Sequence, residues 1–193
     1  KLDDIKCPNE VEVEIETTKR YHVKGKTFRI ICENNLQPRC LDDIIKIIES
    51  GNLSQEIKQK SIKAFSLLAD AESAVHGISK DKVHFHEIGA VDTIFDIVGF
   101  YILLDLLCID KVVNTHVNLG SGKFICEHGE IPVPGPAVLE IMKGRNIISE
   151  GEEGERATPT GAVLICASSV DTDGLPKGKL ISYGYGFGEK KFK

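Results

Sequence analysis

Residues 94–107 run almost wholly apolar, broken only by Asp96, Gly99 and Asp105. The run is shorter than the ~20 residues a membrane-spanning helix needs, and its acids would be costly in lipid. A helix apolar on nearly all sides must instead be enclosed by other protein elements. The rest of the chain therefore has to wrap this segment. With 193 residues, 41% of them hydrophobic, there is material for one large or two small domains with a sizeable core.

The charge balance narrows the partners. Lys and Arg number 24 against 29 Asp and Glu, a formal net charge of −5. That excess argues against a general DNA or RNA binder, which shows a basic face, but it leaves room for a nucleotide held by a few local groups. Six cysteines without a C-x-x-C pair read as reduced thiols of a cytoplasmic protein, with Cys108 and Cys166 as core residues. No signal peptide and no membrane segment are visible. The chain opens on Lys1 rather than Met, so it is expected to be an internal portion of a longer protein.

Periodicity supplies the elements. Val11, Val13 and Ile15 alternate with glutamates, which predicts a half-buried strand, paired with a second at 26–32 across a turn at Lys24-Gly25. Leu41, Ile44, Ile45 and Ile48 share one helical face, and Gly51 ends it. Ser54 and Gly77 read as the N-cap and stop of a longer helix with a stripe of Ile57, Ala64, Phe65, Leu68, Ala71 and Val75. Short strands are expected near 82–87, 111–118, 123–126 and 180–185, and Asp92 is expected to cap the apolar helix. Pro136 and Thr158-Pro159 open two further helices. Strands and helices are interspersed, so the class is α/β or α+β, a mixed sheet packed with several helices, with a strand order that cannot be derived.

Residues 84–99 carry the densest chemistry. In an extended segment His84 and His86 project to one side, and two imidazoles so placed, with Glu87 beside them, suit one divalent metal. Asp92 and Asp96 are four apart and lie on one helical face; Gly99 extends that face and leaves room for a ligand. The plainer reading is that Asp92 caps the helix and Asp96 complements its dipole. His128, held by the alternating prolines Pro132, Pro134 and Pro136, is a further candidate ligand.

Candidate phosphate contacts sit in two places. Gly120, Gly122 and Lys123 form a turn that fails as a P-loop, because Val117 stands where the first Gly belongs and Phe124 follows the Lys. The second place is 154–162. There Thr158 caps a helix, Pro159 takes its first position, and Arg156, Thr160 and Gly161 lie where an anion meets helix N–H groups. A well-capped helix with no ligand explains the same spacing.

Taken in order, HFHEIGAVD at 84–92, DIVG at 96–99, EHGEIPVP at 127–134 and TPTGA at 158–162 resemble the LarC family, the nickel insertion proteins. AESAVHG at 71–77 and GYGFG at 184–188 fit the same pattern. The resemblance covers about residues 41–188. It implies insertion of nickel into pyridinium-3,5-bisthiocarboxylic acid mononucleotide, forming Ni–C and Ni–S bonds in the nickel-pincer cofactor. It further implies CTP as co-substrate, Mg²⁺ or Mn²⁺, and lactate racemase-type enzymes as recipients of the product. On this reading His84, His86, Glu87, Asp92, Asp96 and His128 are candidates for the metals. Gly120, Gly122, Lys123, Arg156, Thr158, Thr160 and Gly161 are candidates for the phosphates. The family's Gly-rich N-terminal segment and smaller C-terminal domain are not in this sequence, and its usual His-rich stretch is replaced by residues 34–40. The chain is thus expected to be the main N-terminal portion of such an enzyme, with self-association open. The alternative is a non-catalytic metallochaperone module that binds nickel and nucleotide.

Overall fold

The second long helix organises the molecule. A computed structural model describes residues 2–7, 11–32, 39–85, 91–126 and 129–188. After a single 3-10 turn at Leu2–Asp4, strands β1 (Val11–Arg20) and β2 (Val23–Cys32) form an antiparallel hairpin. Strand β3 (Arg39–Cys40) leads straight into α1 (Leu41–Ser50), and α2 follows over Gln55–His76. Helix α2 begins and ends where local chemistry dictates. The Ser54 hydroxyl accepts the Ile57 N–H at 3.3 Å, and Gly77 takes the left-handed conformation, φ 63°, that closes a helix.

Strand β4 (His84–Phe85) pairs antiparallel with β3, and the apolar helix α3 spans Val91–Leu106. A run of short strands comes next: β5 (Val112–Asn114), β6 (Val117–Asn118), β7 (Gly120–Ser121), β8 (Lys123–Cys126) and β9 (Gly129–Pro132). Helix α4 (Pro136–Ile141), strands β10 (Ile147–Ile148) and β11 (Gly154–Glu155), helix α5 (Pro159–Ser168) and strand β12 (Ser169–Asp171) complete the order. Among the described residues the strands pair off into two-stranded ladders. β6–β10 and β5–β12 are parallel; β1–β2, β3–β4, β7–β11 and β8–β9 are antiparallel. The class is α+β, with five helices and several small sheets among the described residues.

Helix α2 packs against α1, α3, α4 and α5. Its Ala64, Phe65, Leu68 and Ala71 are buried together with Ile44 and Ile48 of α1, Ile94, Ile97 and Val98 of α3, Val138 of α4 and Val163 of α5. The enclosure expected for 94–107 is real through Ile102. Beyond it, Leu103, Leu106 and Leu107 are exposed. No helix among the described residues is long and apolar enough to cross a membrane.

Four local expectations change. The hairpin turns at Tyr21-His22, both at positive φ, and not at Lys24-Gly25. Gly25 serves a different end: a Cβ there would stand 2.6 Å from the Phe187 ring and 2.7 Å from the Tyr185 carbonyl, where the C-terminal segment crosses β2. That segment, expected as a strand at 180–185, makes one parallel bridge, Lys26 with Gly186, and leaves Leu180, Ile181 and Tyr183 largely exposed. Ile15 is exposed because the hairpin runs past the core that covers Val11 and Val13. Cys108 is exposed in a left-handed turn after α3, while Cys166 is half-buried, its thiol donating to the Ile141 carbonyl at 3.2 Å. Burial pushes the Cys166 thiol pKa up, and Cys7, Cys32, Cys40, Cys108 and Cys166 all carry free thiols.

Candidate functional site

A cavity of about 630 Å³ opens where the ends of α2, β4 and α3 meet the β8–β9 hairpin, the start of α4 and the start of α5. This is within the usual size of a small-molecule site. One side is polar: Glu72 and His76 from α2, His84 from β4, Asp92 and Asp96 from α3. The β8–β9 hairpin and the start of α4 add apolar lining, with Phe124, Ile131, Pro136 and Val138. Thr158, Pro159 and Thr160 at the head of α5, with Glu155 of β11, close the rim.

Each wall has a local cause. The α2 stripe that begins in the core ends at Val75, which is partly exposed and lines the cavity. Glu72 and His76, four apart beside it, pair at 3.3 Å, Glu72 Oε2 to His76 Nε2. The Glu72 side chain is 14% exposed and that of His76 41%. His84 reaches the cavity because β4 pairs Cys40 with His84, setting Phe85 inward and His84 outward. Asp92 lies in the first turn of α3 rather than at its cap, and its carboxylate accepts the Thr93 N–H at 2.7 Å. Asp96 follows one turn later on the same face. Its surface is open to the cavity, yet the surrounding protein desolvates its carboxyl, and the like charge of Asp92 adds to this. Both push its pKa up.

At α5 the Thr158 hydroxyl accepts the Gly161 N–H at 3.2 Å, and the Ala162 N–H goes to the Thr158 carbonyl at 2.9 Å. Pro159 has no N–H to offer. The head of this helix is thus largely satisfied by its own cap.

His84, Asp92, Asp96, Thr158 and Thr160 are therefore brought to one cavity. Gly120, Gly122, Lys123, Arg156 and Gly161 do not line it. Gly120 crosses the Gly154 carbonyl so closely, at φ 83°, that no side chain fits, which makes it a requirement of the β7–β11 pairing. Lys123 is ion-paired with Glu130 across β8–β9 at 2.7 Å, and the Arg156 guanidinium donates to the Glu152 carbonyl at 3.3 Å. Gly99 follows Asp92 by seven residues on the same face of α3 but does not line the cavity, and a Cβ there would stand 3.4 Å from Leu2. His86, Glu87 and His128 lie outside the described residues. Among those described, no three His, Cys, Asp or Glu side chains converge to hold a metal. Glu72, His76 and Glu155 line the cavity without being singled out by spacing. The signal for the first two is their own four-residue offset at the end of the stripe.

The donors match one chemistry. Imidazoles suit nickel and similar metals, carboxylates suit hard divalent ions, and an apolar wall suits a flat ring. Comparison with known proteins agrees in kind. The whole chain, residues 1–193, matches the family model described as nickel insertion protein. It is 40% identical over 181 residues to a putative nickel insertion protein of Dictyoglomus thermophilum, covering 94% of this chain and 47% of that relative. It is 35% identical over 198 residues to the pyridinium-3,5-bisthiocarboxylic acid mononucleotide nickel insertion protein of Akkermansia muciniphila, covering 98% of this chain and 49% of that protein. A putative nickel insertion protein of Methanococcoides burtonii is 33% identical, with 97% of this chain and 48% of that relative covered. The chain belongs to the nickel insertion protein family. It spans about half the length of the curated relatives it matches. No solved structure matches it.

Proposed function

We propose that the cavity between α2, α3 and α5 is where nickel meets pyridinium-3,5-bisthiocarboxylic acid mononucleotide. The observation that supports this most is the meeting of His84, Asp92, Asp96 and the Thr158–Thr160 helix head, widely separated in sequence, around one space with an apolar wall. His84 is the soft donor for nickel on its way to the two sulfurs. Phe124 and Ile131 offer a face for the pyridinium ring, and Thr158 and Thr160 offer hydroxyls to the phosphate. Asp92 and Asp96 are oxygen donors of the kind that hold Mg²⁺ or Mn²⁺. Such an ion, when bound, neutralises charge on a CTP triphosphate. Around it Asp96 takes a definite role, since a cation beside it offsets the repulsion from Asp92.

In this reading the reaction is a CTP-using, lyase-class nickel insertion in the cytoplasm. It joins small-molecule substrates without nucleic acid or membrane, and its product is delivered to lactate racemase-type enzymes. His86, Glu87 and His128 remain candidate ligands by the sequence alone. The test is to mix full-length protein with Ni²⁺, CTP, Mn²⁺ and the bis-thiocarboxylate mononucleotide, then follow pyrophosphate and product mass. Nickel-bearing product with pyrophosphate release supports the enzyme. Nickel bound one-to-one with neither product nor pyrophosphate overturns it in favour of a carrier module.

A further inference from the structure

We infer that residues 177–182 of one copy of this protein add as a strand to the open edge of β1 in a second copy, so that two copies exchange arms. The inference is independent of the nickel-insertion reading above. The arm's backbone is tied at both ends and nowhere between. At its start the Thr172 N–H donates to the Asn114 carbonyl at 2.8 Å. At its end the Lys26 N–H donates to the Tyr185 carbonyl at 2.9 Å, and the Phe187 N–H to the Lys26 carbonyl at 2.8 Å. From Leu175 through Gly184 it makes no backbone hydrogen bond among the described residues. It carries no helix or strand of its own, and Leu180, Ile181 and Tyr183 are 79%, 90% and 77% exposed. Apolar side chains on an unpaired, uncovered backbone are what a free sheet edge captures.

Such an edge is present. β1 pairs with β2 along one side, and among the described residues nothing pairs with its other side. Strand side chains alternate, so Glu12, Glu14 and Glu16 share one face of β1 and Val11, Val13 and Ile15 the other. Among the described residues these three glutamates make no ion pair, nor do Lys177 and Lys179. Laid antiparallel with Ser182 opposite Val11, the arm sets Lys179 against Glu14 and Lys177 against Glu16. The same register sets Leu180 against Val13 and diagonal to Ile15, which is 59% exposed. Ile181, opposite Glu12, is the one large residue left without a matching partner.

The molecule's own β1 is out of reach in this register. Lys26 stands beside Thr17 in the hairpin, six residues from Val11 and so about 20 Å along the strand. Ser182 lies three residues before Tyr185, which is bonded to Lys26, and three residues span at most about 11 Å. The matching edge is therefore that of a second copy. Two-fold symmetry makes the exchange reciprocal, with one arm laid on each hairpin.

The experiment uses full-length protein. In an equimolar mixture of Glu14→Cys and Lys179→Cys proteins, mild oxidation is expected to join one chain to another, because directly opposite strand residues stand within disulfide reach. Mass spectrometry of the digest is expected to place the bond between positions 14 and 179. In sedimentation, Lys177→Glu with Lys179→Glu is expected to raise the dimer dissociation constant about tenfold, since two attractive cross-strand pairs become repulsive. Glu14→Lys with Glu16→Lys is expected to do the same, and the protein carrying all four changes to recover wild-type association. Leu180→Pro removes an N–H that no bond within one copy uses, so it is expected to abolish the dimer at an unchanged Tm. A full-length protein that sediments as a monomer overturns the exchange. A dimer indifferent to both charge reversals and to Leu180→Pro is built on another surface and overturns it as well. So does a 14–179 bond that forms within one chain of the double variant and never between chains, which makes the arm's partner its own hairpin.

Discussion

Two helix starts face the same cavity, and they differ in how far local chemistry has settled them. The head of α5 is complete in itself: Thr158 caps it, Pro159 fills the first position, and the Gly161 N–H is already used. The head of α3 is not. It brings Asp92 and Asp96 onto one open face, and desolvation, with the like charge of Asp92 adding to it, raises the Asp96 pKa. A protein concerned only with stability would place one acid in the first turn, not a second on the same face one turn later. The unresolved electrostatics of α3 therefore point to a cationic ligand, while α5 reads first as architecture and only second as a phosphate seat.

The largest effect that bears on this comparison comes from removing what holds both helices in place. Phe65 of α2 is fully buried where α2 meets its neighbours. Phe65→Ala is expected to destabilise by about 3–5 kcal/mol, read by urea denaturation, with loss of ligand binding in proportion to unfolding. If binding at the cavity survives full loss of cooperative unfolding, the two heads do not depend on the shared core.

Second in size is the difference between the heads themselves. Asp96→Asn is expected to weaken Mn²⁺ or Ni²⁺ binding at least about tenfold, some 1.4 kcal/mol, measured by calorimetry near neutral pH. Unchanged affinity would remove the α3 face from the cation site. Thr158→Ala is expected to behave oppositely. It costs about 1 kcal/mol of stability through the lost cap and leaves divalent-ion affinity alone. A Thr158→Ala protein that melts normally but loses metal would make α5 the site and invert the comparison.

How much of this was legible in the sequence follows from the range of the interactions involved. The limits of α2 and the openings of α4 and α5 were readable because caps, prolines and glycines act within a few residues: Ser54, Gly77, Pro136, Thr158. The joint appearance of His84, Asp92, Asp96, Thr158 and Thr160 at one cavity was half legible. Their types and spacings suggested ligands, while the meeting itself depends on how α2 collects the other helices. The packing partners of Gly25, Gly99 and Gly120 were not legible, for one reason. A glycine marks a close approach without saying to what, and the partners here are Phe187, Leu2 and Gly154, all distant or unforeseeable in sequence. Cys108 was expected inside because its neighbours are apolar, but the last α3 residue packed on the core is Leu104, and the chain beyond it carries Cys108 out. Glu72 and His76 were not singled out by spacing, since nothing local shows that the end of the α2 stripe, at Val75, opens on the cavity.

The smallest effect separates the heads by pH. Asp96 has a folded pKa above that of an unfolded aspartate, so the folded state holds its proton more tightly. Its stabilising contribution is fully present below the ordinary carboxylate pKa and is lost as pH rises through the raised value. At neutral pH the ionised carboxylate is thus a net cost to the ligand-free fold. Asp96→Asn is expected to raise Tm at pH 7 and to leave it unchanged well below the ordinary carboxylate range, where wild type is already neutral. Because the group is open to the cavity, the gain is under about 1 kcal/mol, or no more than about 2–4 °C for a chain of this size. Saturating Mn²⁺ reverses the order, since a cation bound by the wild-type pair stabilises it and not the variant. Thr158→Ala, with no titrating group removed, lowers Tm by a similar amount at both pH values. Scanning calorimetry on the two variants at two pH values, with and without Mn²⁺, distinguishes them. If Asp96→Asn melts at or below wild type at pH 7 without metal, the α3 acids are as settled as the α5 cap, and the electrostatic argument for a cation there falls.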